Sequence, residues 1–185
     1  MPMASHEQVT FIRDCAAVAI PSGDLITIKS GEIAYITQAL GGNYTLMLNG
    51  NLVQIDGKDG DAIGEAAAID NAAVEPCEDR QAPDEHLILT QLRTCYDPEI
   101  PVNIVDLGLI YDLEITPKND CDYRVNIKMS LTAPGCGMGD YIAADVKKKA
   151  LMVPGVTEAN IELVWEPLWN REMMSDAARL ELGLF

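Results

Sequence analysis

Polar and apolar residues alternate with a period of two through Tyr123, Val125, Ile127, Met129 and Leu131, set against Arg124, Asn126, Lys128 and Ser130. That is the period of a strand buried on one face. The same period runs through Leu109, Tyr111, Leu113 and Ile115, and again through Ala159, Ile161, Leu163 and Trp165. Helical spacing predicts a helix over about 84–95, where Ile88, Leu89, Leu92 and Cys95 share a face, and a second over about 140–150. The predicted order is α-β-β-α-β: a three-stranded sheet with helices packed on one face. The second helix is a crossover of the length that brings a parallel strand alongside. Upstream, residues 20–65 read as short strands with turns at Pro21-Ser22-Gly23, Ser30-Gly31 and Gly41-Gly42. Asn49-Gly50, between two apolar runs, is a hairpin signal, and Asp61 is placed to cap a short helix beyond it. From Asn170 on, Met173, Met174, Ala177, Ala178 and Leu180 predict a short helix that folds back on the core, the alternative being a docking element.

These patterns predict the α+β class in three parts: a small β-rich domain at 1–69, an acidic Pro-containing linker at 70–83, and an α+β domain with a C-terminal tail at 84–185. Two tempting motifs in the first part are turns. Asp56 to Asp61 lacks EF-hand spacing, with Ala67 at the twelfth position, and no Gly-Lys-Ser/Thr follows Gly41-Gly42-Asn43.

Charge narrows the functions. A net charge of −16, spread over both halves, argues against nucleic acid and anionic membranes as partners. The one basic run, Lys147-Lys148-Lys149, suits the C-terminal turns of the second helix. No stretch approaches the ~18 consecutive apolar residues of a membrane span. No basic segment followed by an apolar core opens the chain, so the expected location is the cytoplasm. Cys15, Cys77, Cys95, Cys121 and Cys136 form an odd set without a CxxC pair, which fits free thiols in a reducing compartment.

The candidate chemistry centres on Cys136. It sits in the loop Leu131-Thr132-Ala133-Pro134-Gly135-Cys136-Gly137-Met138-Gly139, between a predicted strand and a predicted helix. Free N–H groups and the positive end of the helix dipole collect at such a turn and favour a thiolate. The bland alternative is a small buried cysteine in a tight turn. The second segment runs from Asp97 to Tyr111, where Pro98 and Pro101 forbid a continuous helix. Asp97, Glu99 and Asp106 are therefore held on a stiff acidic loop before a strand. Here the bland alternative is a solvated turn in which Asp97 caps local N–H groups.

Three ordered segments, Asp97-Pro98-Glu99-Ile100-Pro101, Val105-Asp106-Leu107-Gly108-Leu109-Ile110-Tyr111 and Leu131-Thr132-Ala133-Pro134-Gly135-Cys136-Gly137-Met138, resemble the domain shared by SufT and PaaD proteins and the eukaryotic cytosolic iron–sulfur targeting factors. The resemblance covers roughly residues 84–170, and the added N-terminal region makes the chain SufT-like. It implies a non-catalytic role in making or delivering iron–sulfur clusters. The implied partners are the assembly machinery and client apoproteins, and the implied cofactor is a transient cluster. The family's Gly-Cys motif falls on Cys136, supported by Thr132, Pro134, Gly135 and Gly137, and its acidic loop on Asp97 and Glu99.

One thiolate cannot complete a four-thiolate cluster site. Cys121 should lie at the far end of the sheet, about 30 Å away by extended-chain arithmetic, which leaves Cys95 as the intrachain helper. The options are a cluster shared between two chains as a homo-oligomer, a metal site mixing Cys136 with Asp97 or Glu99, or no metal. The rival classes are a thiol enzyme or redox protein with Cys136 as nucleophile, and a pure scaffold. A hydrolase would need a histidine base, and only His86 could serve, since His6 lies near the terminus.

Overall fold

The computed structural model describes residues 7–65, 82–97, 99–134 and 137–184. Gly135, Cys136, Cys77 and most of the predicted linker at 70–83 lie outside the described residues. The chain divides into two compact units, residues 1–70 and 71–185. The mixed α+β class holds, with one six-stranded and one three-stranded sheet plus helices.

The first unit is an antiparallel sheet. Its strands are β1 (Glu7–Thr10), β2 (Cys15–Ile20), β3 (Leu25–Ile28), β4 (Ile33–Leu40), β5 (Asn43–Leu48) and β6 (Asn51–Asp56), in the order β1-β4-β5-β6-β2-β3. Strand structure thus begins well before residue 20. Asn49 (φ 50°) and Gly50 (φ 84°) form the two-residue turn between β5 and β6, the geometry whose twist matches paired strands. Phe11, Ala34, Leu46, Val53 and Ile55 fill the core. A 3-10 turn over Gly57–Ile63 follows β6, and its cap is Asp56, which accepts from the Lys58 N–H. Asp61 does not cap it. Its carboxylate instead receives the Arg13 guanidinium at 2.6 and 2.8 Å, a stronger charged partner brought in from the β1–β2 loop.

In the second unit α1 (Glu85–Leu92) opens on Asp84, whose side chain accepts from the His86 N–H. Helix α1 buries Ile88 and Leu92. It is followed by β7 (Ile110–Pro117), β8 (Tyr123–Met129), α2 (Gly139–Leu151) and β9 (Val156–Leu163). Strands β7 and β8 pair antiparallel through a turn held by the Asn119 side chain, which accepts from the N–H groups of Cys121 and Asp122. Strands β8 and β9 pair parallel, with α2 as the crossover. Val125, Ile127 and Met129 of β8 are buried, as are Ile142, Val146 and Ala150 on one face of α2, while Lys148 and Lys149 occupy its last turn. Strand β9 runs from Val156 to Leu163, earlier than its alternation suggested, because its pairing tracks β8 from Tyr123 to Met129. A 3-10 turn (Arg171–Met173) and α3 (Asp176–Glu181) end the unit, with Met174 and Ala178 buried.

The five cysteines are not all free. Cys121 is disulfide-bonded, which corrects the expectation of free thiols throughout. It sits half-buried in the β7–β8 turn. Cys15 and Cys95 are free and buried.

Candidate functional site

The pairing of β7 with β8 brings the start of one strand beside the end of the other, Ile110 opposite Met129. The Ser130 N–H donates to the Leu109 carbonyl at 2.8 Å, tying the segment that enters β7 to the segment that leaves β8. The acidic loop and the start of the Cys136 loop therefore share one end of the sheet.

The acidic loop is a packed structure, not a solvated turn. Val102, Ile104, Leu107 and Leu109 are buried, and Ile104 N–H donates to Cys95 O at 3.0 Å. Asp97 is only 4 % exposed. Its Oδ1 accepts from the N–H groups of Glu99 (2.9 Å) and Ile100 (3.0 Å). Burial pushes its carboxyl above the usual carboxylate range, and those two bonds pull partly back. Asp106 is engaged too. Its Oδ2 accepts from Asn103 Nδ2 at 2.6 Å, and its N–H donates to Asn103 Oδ1 at 2.9 Å. Of the three acids, Glu99 alone is exposed. Asp97 and Asp106 are held by bonds within the loop, while Glu99 faces solvent.

On the other side, Leu131 is buried, Thr132 is half-buried, and Pro134 and Gly137 are exposed. Helix α2 begins three residues after Cys136 in the sequence, and its cap residue Met138 makes no side-chain capping bond. Gly139 is there for space: a Cβ would lie 2.8 Å from Leu131 Cδ1.

Cys95 is no ready helper thiolate. Burial pushes its thiol far up, and Asp145, which pairs with it, pushes the same way. His86 is exposed on α1. Among the described residues, no three His, Cys, Asp or Glu side chains converge as a metal site.

The C-terminal segment folds back on the core as its pattern predicts, but sequence reasoning did not find that it crosses this end of the sheet. Tyr111 Oη donates to Pro167 O (2.9 Å), Trp169 Nε1 to Leu107 O (2.7 Å), and Ser175 N to Asp106 O (2.8 Å). Gly108 (φ 72°) lies so close to the Met173 backbone that no Cβ would fit. The available signal was Ser175, a cap-forming residue just ahead of an Ala-rich helix, with a tryptophan upstream. Ser130 is 1 % exposed, and its hydroxyl has no partner.

A compact α-β-β-α-β unit with an acidic loop and a Gly-rich cysteine loop at one sheet end is the class these features define. A family model described as iron-sulfur cluster assembly protein matches residues 85–162, from the start of α1 into β9. A Porphyromonas gingivalis relative named Fe-S protein maturation auxiliary factor is 50 % identical over 99 residues, covering 54 % of this chain and 90 % of its own. The Staphylococcus aureus Fe-S protein maturation auxiliary factor SufT is 35 % identical over 88 residues, 48 % of this chain and 96 % of its own. An iron-sulfur cluster carrier protein from Deinococcus radiodurans is 36 % identical over 75 residues, 40 % of this chain and 20 % of its own. The chain belongs to the iron–sulfur cluster assembly protein family.

Proposed function

We propose that this protein is an auxiliary factor, not an enzyme, that assists assembly of iron–sulfur clusters or their transfer to client apoproteins in the cytoplasm. Cys136 is its functional thiol, in a loop shaped by Thr132, Pro134, Gly135 and Gly137. Glu99 is the accessible acid beside it, and Asp97 and Asp106 hold the acidic loop in shape. The observation that carries the reading is the antiparallel β7–β8 pair, whose register sets the acidic loop next to the start of the cysteine loop. The names of the relatives, maturation auxiliary factors and a cluster carrier, support the same direction. A cluster passing through is cargo, held by Cys136 together with ligands from a second chain or from the client. The assembly machinery and client apoproteins are the partners.

The thiol-enzyme reading is weaker on chemistry. The thiol at 95 is buried and protonated, so it is a poor resolving partner, and His86 is exposed on α1. The test is client maturation in cells lacking the native gene and complemented with Cys136→Ser. The expected result is loss of client cluster content at normal levels of the variant. Full client activity in the variant would defeat the proposal.

A further inference from the structure

The C-terminal segment walls a pocket where it crosses the sheet end. Trp169, Arg171, Met174, Leu182 and Leu184 line a space of 420 Å³, closed from the other side by Ile100 and Thr132. That is the size of a cleft for one small molecule. Its described walls are apolar apart from two groups. Met174 is buried, and Trp169, Leu182 and Leu184 are half-buried. The indole N–H is committed to the Leu107 carbonyl at 2.7 Å, so Trp169 offers the pocket only its ring. The two polar groups are the Thr132 hydroxyl and the Arg171 guanidinium, and no acid stands among the described lining residues. The chain carries 29 acids against 13 lysines and arginines, and Arg13 and Arg124 both take carboxylates. Arg171 does not: among the described residues its side chain has no hydrogen bond and no ion pair.

We propose that this pocket binds a small apolar monocarboxylic acid. The hydrocarbon body lies against the Trp169 ring, Met174 and the two leucines, and the carboxylate meets Arg171, with the Thr132 hydroxyl as a further donor. A planar guanidinium takes a carboxylate through two parallel N–H···O bonds, which makes it the right cation for this group. Charge and polarity exclude the near relatives. A phosphate ester, with about two charges, calls for a second cation, and none lines the pocket among the described residues. The end of a peptide chain would bring N–H and C=O groups that apolar walls leave unpaired, at a cost that a free acid avoids. The site is independent of the thiol at 136 and of the cluster reading, since none of its chemistry passes through sulfur.

The test is calorimetric titration of the full-length protein at neutral pH with three probes: hydrocinnamate, hydrocinnamyl alcohol and the peptide acetyl-Gly-Gly-Leu. Hydrocinnamate should bind once per chain, and the alcohol, of the same shape without the charge, should bind about tenfold more weakly. Arg171→Gln should lower the affinity for the acid about tenfold and leave that for the alcohol unchanged. Its thermal midpoint should match wild type, because the Arg171 side chain has no partner to lose among the described residues. Leu184→Glu, which sets a like charge in the wall, should abolish binding of the acid. No binding at millimolar hydrocinnamate, equal affinity for acid and alcohol, or an acid affinity untouched by Arg171→Gln would each overturn the proposal. Tighter binding of the peptide than of hydrocinnamate would overturn it too, and would make the pocket a reader of chain ends.

Discussion

Asp97 carries a buried carboxylate whose oxygen organises the acidic loop through the Glu99 and Ile100 N–H groups. Burial raises its folded pKa above the ordinary 3.8. Between those two values the folded state holds more protons than the unfolded one, so stability falls as pH rises through that window. Above the window the full penalty for burying the charge is present. Asp97→Asn keeps an oxygen acceptor and removes the charge. It is expected to match or exceed wild-type stability at neutral pH and to lose the pH dependence in that window. Asp97→Ala loses both bonds and should cost about 1–2 kcal/mol. Urea denaturation from acid to neutral pH measures both, and an Asn variant as unstable as the Ala variant would mean the charge itself is needed. At Cys136, replacement by Ser exchanges atoms of similar size, so the expected stability cost is on the order of 1 kcal/mol. A loss above about 3 kcal/mol in a urea series would identify a buried structural cysteine instead.

Among the elements, the three strands of the second unit are linked on their polar side by one ion cluster. Glu158 of β9 pairs with Arg124 of β8 at 2.7 Å and with Lys118, just past β7, at 2.8 Å. The two cations hold the Glu158 carboxyl down to about 2 from its usual 4.5. A depressed folded pKa stabilises above the unfolded value and is lost as pH falls from about 4.5 towards 2. The groups are solvent-accessible, so salt screens them. Thermal melts of Glu158→Gln in acid, at low and high salt, should show a flatter acid limb and a weaker salt dependence than wild type. An acid limb identical to wild type would show that the pairs add nothing to stability. Strand β9 carries a further lesson. Its alternation continues to Trp165, yet the strand stops at Leu163, where its partner β8 ends at Met129. Period marks which residues can form a strand, and the neighbour's length decides how many do.

For the whole molecule, the cysteine inventory limits how a cluster can be held. Cys15 and Cys95 are buried, Cys121 is disulfide-bonded, and the Cys95 thiol is held protonated by its surroundings. One chain therefore offers too few thiolates for a four-thiolate cluster. Native mass spectrometry after anaerobic reconstitution with iron and sulfide should show the cluster on a species of two chains, with apoprotein at a different mass. A cluster on single chains would point to a mixed thiolate–carboxylate site and would remove the argument for sharing.

Local chemistry in the sequence was enough for the α-β-β-α-β order, the Asn49-Gly50 hairpin, the helix over about 140–150 and the antiparallel β7–β8 pair. Each depends on a periodicity or a turn geometry that neighbouring residues impose on one another. It also held the three segments that carry the family resemblance. Which acids stay exposed was not legible. Asp97, Glu99 and Asp106 look alike along the chain, and the burial of Asp97 and the pairing of Asp106 with Asn103 separate them. Asp61 falls inside the 3-10 turn that Asp56 caps, and its carboxylate pairs with Arg13, 48 positions away along the chain. The C-terminal segment's hold on Leu107, Gly108 and Asp106 likewise joins residues about sixty or more positions apart. Contacts of that range follow from how packed elements meet, which no local pattern encodes.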